Sequence, residues 1–321
     1  PRGLLPGEAA RIFTGAAMPD GADTVAMQED CEYRDEAVAI PLGLKPEANR
    51  RRAGEDLAAG TLLMGPGTRL RAQELAGIAS TGLACVTVAA PLRVAYLSTG
   101  DELRRPGEAI SPGQVYDSNA AMLAGLFHKP WIAFSDLGML PDKADRVEEA
   151  LAEAAACHDA VLTTGGASRG EEDHVAAALG RLGRRHLWHL AIKPGKPLSL
   201  GQIGNCAMVG LPGNPVAGFV SCLLYALPLL SCLAGASWRE PQRFPLPAGF
   251  SIEGRKTGRR EFYRGILSPD EAGLSVRKYQ RDGSGLITSL READGLIEIP
   301  EEVEAIRKGD PVRFIPFSEF G

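Results

Sequence analysis

Residues 92–102 read LRVAYLSTGDE, and residues 159–172 read DAVLTTGGASRGEE. Each is a short apolar run of strand type that ends in Thr-Gly and then acid. Thr99, Gly100, Asp101 and Glu102 close the first; Gly165, Gly166, Ser168, Gly170 and Asp173 follow the second. Glycines let backbone amides close around an anion, and a following helix adds partial positive charge. Asp101, Glu102 and Asp173 offer hard oxygen ligands, which suit Mg²⁺ when phosphate oxygens complete its shell. A third loop, AIKPGKP at 191–197, carries Lys193 and Lys196 on a stiff Pro-Gly turn, placed to neutralise a phosphate or oxyanion. A fourth, GLPGNP at 210–215, repeats the strand-to-helix anion geometry through Pro212, Gly213 and Asn214. The four loops together suit a large anionic ligand with a divalent metal.

Plainer readings stand beside these. A glycine-rich strand–helix turn is often only structural, and this one lacks a Walker A Lys-Ser/Thr and the dinucleotide spacing. Acids in a first helical turn complement the helix dipole. Asp117 and Ser118 in Asp-Ser-Asn make a good helix cap, with ligand contact as an addition, and Asp142 after Pro141 has the same two readings.

The loops need strands to carry them. Strand patterns at 94–98, 131–137, 160–164, 188–192 and 207–210 alternate with helix patterns at 118–127, 142–157, 171–182 and 215–234. Such alternation implies a mostly parallel sheet covered on both faces, with ligands beyond the carboxyl ends of the strands. The organisation expected is a β-rich N-terminal domain at 1–52, a linker and helical segment at 53–90, the α/β domain at 91–238 and a small β domain at 239–321. Short β-type runs are expected at 10–14, 22–29, 37–42 and 84–90, and a helix at 71–82. Because the chain opens on Pro1 and runs almost at once into strand pattern, the N-terminal domain is expected to be incomplete.

At 321 residues the chain has room for several domains, and its formal charge of −5 shows no basic face for nucleic acid. Arg50, Arg51 and Arg52 form one short basic cluster, which reads equally as a solvated turn. Six scattered cysteines make no Cys-x-x-Cys pair and no zinc spacing, which fits reduced thiols in a cytoplasmic protein. Residues 197–238 carry no charge, but Pro212, Pro215 and Pro228 interrupt them. A buried core helix is expected there rather than a membrane span, with Asn214 as its cap and Pro228 as a kink or stop.

Taken in chain order, the motifs resemble those of the molybdopterin molybdenumtransferases, the family of MoeA and the gephyrin E domain. The matching pieces are IFTGAAMPDGAD (12–23), RRRAGED (50–56), STGDEL (98–103), YDSN (116–119), TTGGASRGEEDH (163–174), LAIKPGKP (190–197), GLPGNPVAG (210–218), RREFYRG (259–265) and GSGLITSLREADGLIEIPE (283–301). The resemblance implies a multidomain α/β protein. A central molybdopterin-binding domain with a mostly parallel sheet would be flanked by an N-terminal β-rich region and a C-terminal β domain. It implies Mg²⁺-dependent insertion of molybdate into adenylated molybdopterin, with release of AMP, by an elongated homodimer downstream of a molybdopterin adenylyltransferase.

Carried over by motif, Glu102, Asp142 and Asp173 match functional acids, with Glu102 and Asp173 as metal ligands. Lys193 and Lys196 match functional lysines. Thr14, Arg51 and Asp56 match polar positions that serve the partner subunit's site. Two departures stand out. An N-terminal Met-Asp-Gly motif is absent from this sequence. His189 stands where many members have lysine, so the positive field there becomes pH-dependent. A non-catalytic pterin-binding or scaffold protein of the same fold, and more weakly a CinA-type domain, are the other readings of these motifs.

Overall fold

A computed structural model describes residues 2–165, 174–271 and 273–321. The chain forms two units, Pro1–Gly65 and Pro66–Gly321. In the first unit the only strand pairing among the described residues is an antiparallel hairpin, β1 (Glu32–Arg34) with β2 (Ala37–Ala39). The runs at 10–14 and 22–29, and 84–90 of the second unit, were expected as strands but form none. An apolar alternation becomes a strand only where a neighbour takes its backbone hydrogen bonds. Phe13 and Val88 are exposed on these stretches, and no described residue of the first unit is buried.

The second unit begins with α1 (Ala72–Ser80), then β3 (Leu92–Thr99), β4 (Leu103–Arg104), β5 (Val115–Tyr116) and α2 (Ser118–Leu126). It continues with β6 (Ile132–Leu140), α3 (Ala144–Cys157), β7 (Ala160–Thr164) and α4 (His174–Leu182). Next come β8 (Arg184–Trp188), β9 (Ile192–Lys193), β10 (Ser199–Ile203) and β11 (Cys206–Leu211). The central sheet has the order β6-β3-β7-β11-β10-β8. Its first four strands are parallel; β10 runs antiparallel to both β11 and β8. From β3 the chain crosses through α2 to β6 on one side, and from β6 it passes back through α3 to β7 on the other side of β3. The switch point between β3 and β7 is where ligands of doubly wound sheets bind.

Every residue of β3 except Arg93 is buried, and all of β7 is buried, as expected for strands covered on both faces. The two-residue alternation divides them. Val94, Tyr96 and Leu162 enter one core cluster with Leu123 and Leu223; Ala95, Leu97 and Val161 enter the other with Val147, Leu151 and Leu179. Each such large apolar side chain contributes about 1.5–3 kcal/mol by burial.

The uncharged stretch forms α5 (Pro215–Ser221), a π-helical turn at Cys222–Ala226 and α6 (Leu227–Leu233), a continuous helix. Val220, Leu223, Leu227 and Leu230 are buried in the first core cluster, so it is a core helix as expected. Pro228 does not end it. The wider π turn just before absorbs the missing N–H, as π-bulges do. Asn214 stands at the cap position but makes no side-chain capping bond; Pro215 supplies the helical start instead.

The C-terminal sheet comprises β12 (Phe244–Pro247), β13 (Arg260–Asp270), β14 (Gly273–Lys278), β15 (Gly295–Ile299) and β16 (Pro311–Pro316), in the order β12-β16-β15-β13-β14. The short helix α7 (Thr288–Glu292) precedes β15. Ala248 bridges Val276 and Gly249 N donates to Val276 O at 2.8 Å, so the two edges approach closure around Val276, Ile297 and Phe314. The short β9 pairs in parallel with β13 and ties this domain to the lysine loop.

At the amino-terminal edge of the central sheet, Arg93 donates from Nη2 to Asp159 Oδ1 at 2.7 Å, and its backbone N to Oδ2 at 2.8 Å. The guanidinium hydrogen bond holds the Asp159 carboxyl below its ordinary value of 3.8. A depressed folded-state value stabilises above the unfolded value and loses that contribution as pH falls through the folded one. The Asp159→Asn variant should therefore be less stable than wild type at neutral pH, with the gap in Tm closing below about pH 4. A gap that stays constant from pH 7 to about pH 2 would show the pair contributes nothing by charge.

Candidate active site

Three loops meet at the switch point. Gly165 has φ +88°, and a Cβ there would lie 2.3 Å from Thr99 O and 2.8 Å from Thr99 Oγ1. A Cβ at Gly213 would lie 3.8 Å from Gly165 Cα. The ends of β3, β7 and β11 are thus packed backbone to backbone, and Gly165 is glycine because no other residue fits. Asn119 Nδ2 donates to Gly213 O at 2.8 Å and brings the start of α2 to the same place.

Beneath these loops lies a buried polar layer. Asp117 caps α2, its Oδ1 accepting from Ala120 N at 3.1 Å, which is the plainer of its two sequence readings. Tyr96 Oη bonds with Thr164 Oγ1 and donates to Asp117 Oδ1 at 3.5 Å; burial pushes its phenol far above its ordinary value. Arg105 Nη2 reaches Asp136 Oδ1 at 2.8 Å, with its Nη1 3.8 Å from Asp117 Oδ2. Asp117 Oδ2, Asn119 Oδ1, Ser98 Oγ and Thr163 Oγ1 are buried without a hydrogen-bond partner among the described residues. Unsatisfied buried oxygens are costly, and here they gather under the loops that face the ligand edge.

The acids sit above. Glu102 folds back over Gly100, at φ +145°, so that a Cβ there would meet its carboxylate oxygens at 2.6 and 2.8 Å. Asp101 Oδ1 accepts from Asp142 N at 3.2 Å, which brings the β6 loop to the β3 loop. Asp142 is not a cap: α3 starts at Ala144 behind Lys143. The Glu102 and Asp142 carboxylates make no hydrogen bond or ion pair among the described residues. Asp173, Gly166, Ser168 and Gly170 lie outside the described residues, and among those described no three His, Cys, Asp or Glu groups converge on one point.

The lysine loop forms the other half. Gly195 has φ +112°, and a Cβ there would lie 2.5 Å from Ser221 Oγ, so the turn is seated on α5. Lys193, Lys196, Pro212 and Asn214 line one side of a cavity of about 330 Å³; Arg259, Tyr263, Arg264, Asp282 and Ser284 line the other. Lys196 makes no ion pair among the described residues, while Lys193 Nζ lies 3.5 Å from Glu261 Oε2. Asp282 is paired with Lys278 at 2.6 Å, so the wall is cationic in balance. Burial lowers the basicity of Arg264, which donates to Ser289 Oγ and Arg281 O, each at 3.0 Å, and so holds the 281–284 loop.

Among the described residues of the second unit, Thr99, Gly100, Glu102, Asp117, Asn119 and Gly165 gather at the switch point and Lys193 and Lys196 at the cavity, and the 212–214 loop borders both. Ser118 is half-buried in the first turn of α2. His189 does not continue a strand. With φ +73° it ends β8 at Trp188, on whose ring it stacks at 5.0 Å. Thr14, Arg51 and Asp56 are exposed in the first unit. Arg50 and Arg52 both pair with Glu47, which leaves Arg51 without an ion pair among the described residues. Sequence reasoning passed over Arg259, Glu261, Tyr263, Arg264 and Asp282. For all but Asp282 the signal was in RREFYRG, whose Glu261, Tyr263 and Arg264 lie on β13 and are buried.

A doubly wound α/β domain with glycines at its switch point, and a small β domain packed on its lysine loop, define a multidomain α/β protein with a candidate anion site at the sheet edge. Family models agree: residues 95–231 match a probable molybdopterin binding domain, 1–82 the MoeA N-terminal region (domains I and II) and 252–317 the MoeA C-terminal region (domain IV). The molybdopterin molybdenumtransferase of Haemophilus influenzae is 36% identical over 97% of this chain and 77% of its own length. That of Nostoc is 37% identical over 96% and 72%. The crystal structure of the MoeA protein of Pyrococcus horikoshii OT3 superposes with a TM-score of 0.81 at 27% identity, over 98% of this chain and 77% of that one. The chain belongs to the molybdopterin molybdenumtransferase family, transferases of molybdenum cofactor biosynthesis.

Proposed function

We propose that the chain inserts molybdate into adenylated molybdopterin and releases AMP. The observation that carries this reading is the joining of two chemically distinct foci by one loop. Glycine turns with free carboxylates occupy the switch point, and a cationic cavity opens beside it. Phosphates bind to amides and lysines, so the glycine loops and Lys193 and Lys196 hold the pterin phosphate and the adenylyl group. The cationic wall receives molybdate, a dianion that the pterin phosphates would otherwise repel. Holding the two anions together is the protein's main contribution.

The Mg²⁺ of this reading is supported at the switch point by the chemistry of Glu102, the one of its two expected ligands that lies among the described residues. Glu102 offers an exposed carboxylate with no protein partner among the described residues, and Mg²⁺ takes one or two carboxylates with phosphate oxygens and water. Glu102 with Asp173 would hold it, and when bound it supplies Lewis acidity to the phosphoanhydride. Attack of water on the anhydride breaks one P–O bond, which frees AMP and leaves a phosphate on the pterin; molybdate exchanges oxygens for the two dithiolene sulfurs, soft ligands, and the displaced oxygens leave as water with the thiol protons. Thr14, Arg51 and Asp56 complete the site of a partner subunit in a cytoplasmic homodimer, and a molybdopterin adenylyltransferase supplies the substrate. Transferase relatives leave the non-catalytic reading without favour.

The test is to give the purified chain adenylated molybdopterin, Mg²⁺ and molybdate and to follow both AMP and bound pterin. AMP release that depends on molybdate supports the reading. Pterin retained with no AMP released overturns it in favour of a binding module.

A further inference from the structure

The C-terminal β domain reaches into the lysine loop through one buried carboxylate. β9 and β13 pair in parallel with Ile192 opposite Arg260 and Lys193 opposite Glu261, and Arg260 N donates to Ala191 O at 2.9 Å. A two-residue strand has no stability of its own, so this ladder sets the backbone of Lys193. Glu261 is 5% exposed. Its surroundings are fixed from three sides. Tyr263 Oη donates to Oε2, Arg255 Nη1 lies 3.7 Å from Oε1, and Lys193 Nζ lies 3.5 Å from Oε2. Arg255 is itself held, donating to Val303 O at 2.7 Å, Arg259 O at 2.9 Å and Pro300 O.

Two cations thus face one carboxylate. Arg255 is buried and bonded to three carbonyls, while the Lys193 side chain is 54% exposed at the cavity. Arg255 already offsets the charge of Glu261, so Lys193 keeps positive charge for an incoming anion while its ammonium is aimed. At 3.5 Å the contact is loose enough for Lys193 to turn to a ligand without breaking a tight bond.

We propose that Glu261 is a positioning residue that aims Lys193 into the cavity, which makes the C-terminal β domain part of the reaction. This rests on the role given to Lys193 in the proposed function. A purely structural role for Glu261, as a buried clasp between domains, predicts different kinetics. Under the positioning account, Glu261→Gln lowers kcat/KM for AMP release roughly 10-fold, and only while Lys193 is present, because it acts through that side chain.

The deciding experiment is a double-mutant cycle on full-length enzyme with Lys193→Ala, Glu261→Gln and the pair, read as AMP release. The expected result is that Lys193→Ala costs roughly 100-fold and that adding Glu261→Gln costs nothing further. If the two losses multiply, Glu261 acts independently of Lys193 and the positioning role falls while the enzyme reading stands. If Lys193→Ala releases AMP at the wild-type rate, the role of Lys193 falls, and this inference with it. Should Glu261→Gln not fold, Glu261→Asp carries the same cycle, because it keeps the buried charge and draws it one methylene away from Lys193.

Discussion

Glu102→Gln is expected to lower AMP release by roughly 100- to 1000-fold, the scale for one charged group acting at the transition state. The substitution keeps size and polarity and removes only the charge. Glu102 is exposed, and its carboxylate has no partner among the described residues, so stability should change by less than about 0.5 kcal/mol. The separation of the two effects is the point of the experiment: an acid retained for folding would show the reverse. The variant should also need more Mg²⁺ for half-maximal rate, because one of its few anionic ligands is gone. Release of AMP at the wild-type rate would remove Glu102 from the metal site and leave it a solvated loop acid.

Gly165→Ala is expected to be the most damaging single-methyl change at the switch point. The residue has φ +88°, which costs an L-residue about 1–2 kcal/mol. Its Cβ would also lie 2.3 Å from Thr99 O, a backbone atom on a buried strand with no room to move. A total loss of roughly 2–4 kcal/mol follows, together with loss of activity, because β3 and β7 must separate to admit the methyl group. Gly180→Ala is the control. That glycine lies within α4 with open space around its Cβ position, so the helix should gain up to about 1 kcal/mol. Equal, small effects at both glycines in urea unfolding would mean that the strand ends are not in contact.

Much of this site was readable from residue order. Two Thr-Gly endings on apolar runs placed their loops at one sheet edge, because parallel strands buried on both faces have no other pattern. The Thr99–Gly165 contact bears this out. The glycine at 195, with φ +112°, and the apolar helix from Pro215 were equally legible, since positive φ and burial leave few alternatives to glycine and to aliphatic side chains. Strand pairing was not. β10 was missed because LGQI carries too little alternation to declare an edge, and the strand expected at 188–192 was displaced: β8 ends at Trp188, where the left-handed backbone of His189 breaks it. The runs at 10–14 and 84–90 had the right alternation but no neighbour to receive their hydrogen bonds. Long-range charge was hidden too. The contact of Glu261 with Lys193 joins residues far apart in the chain, and no local spacing announces it.

The central claim is that cleavage of the adenylated pterin and insertion of metal are one coupled event on this chain. The most direct measurement is a single turnover with adenylated molybdopterin, Mg²⁺ and molybdate, in which AMP released and molybdenum retained on the pterin are quantified in the same sample. The account predicts equal amounts of the two, rising together in time, with little AMP formed when molybdate is omitted. AMP released at the same rate without molybdate, or without molybdenum appearing on the pterin, would make the chain a hydrolase and contradict the account.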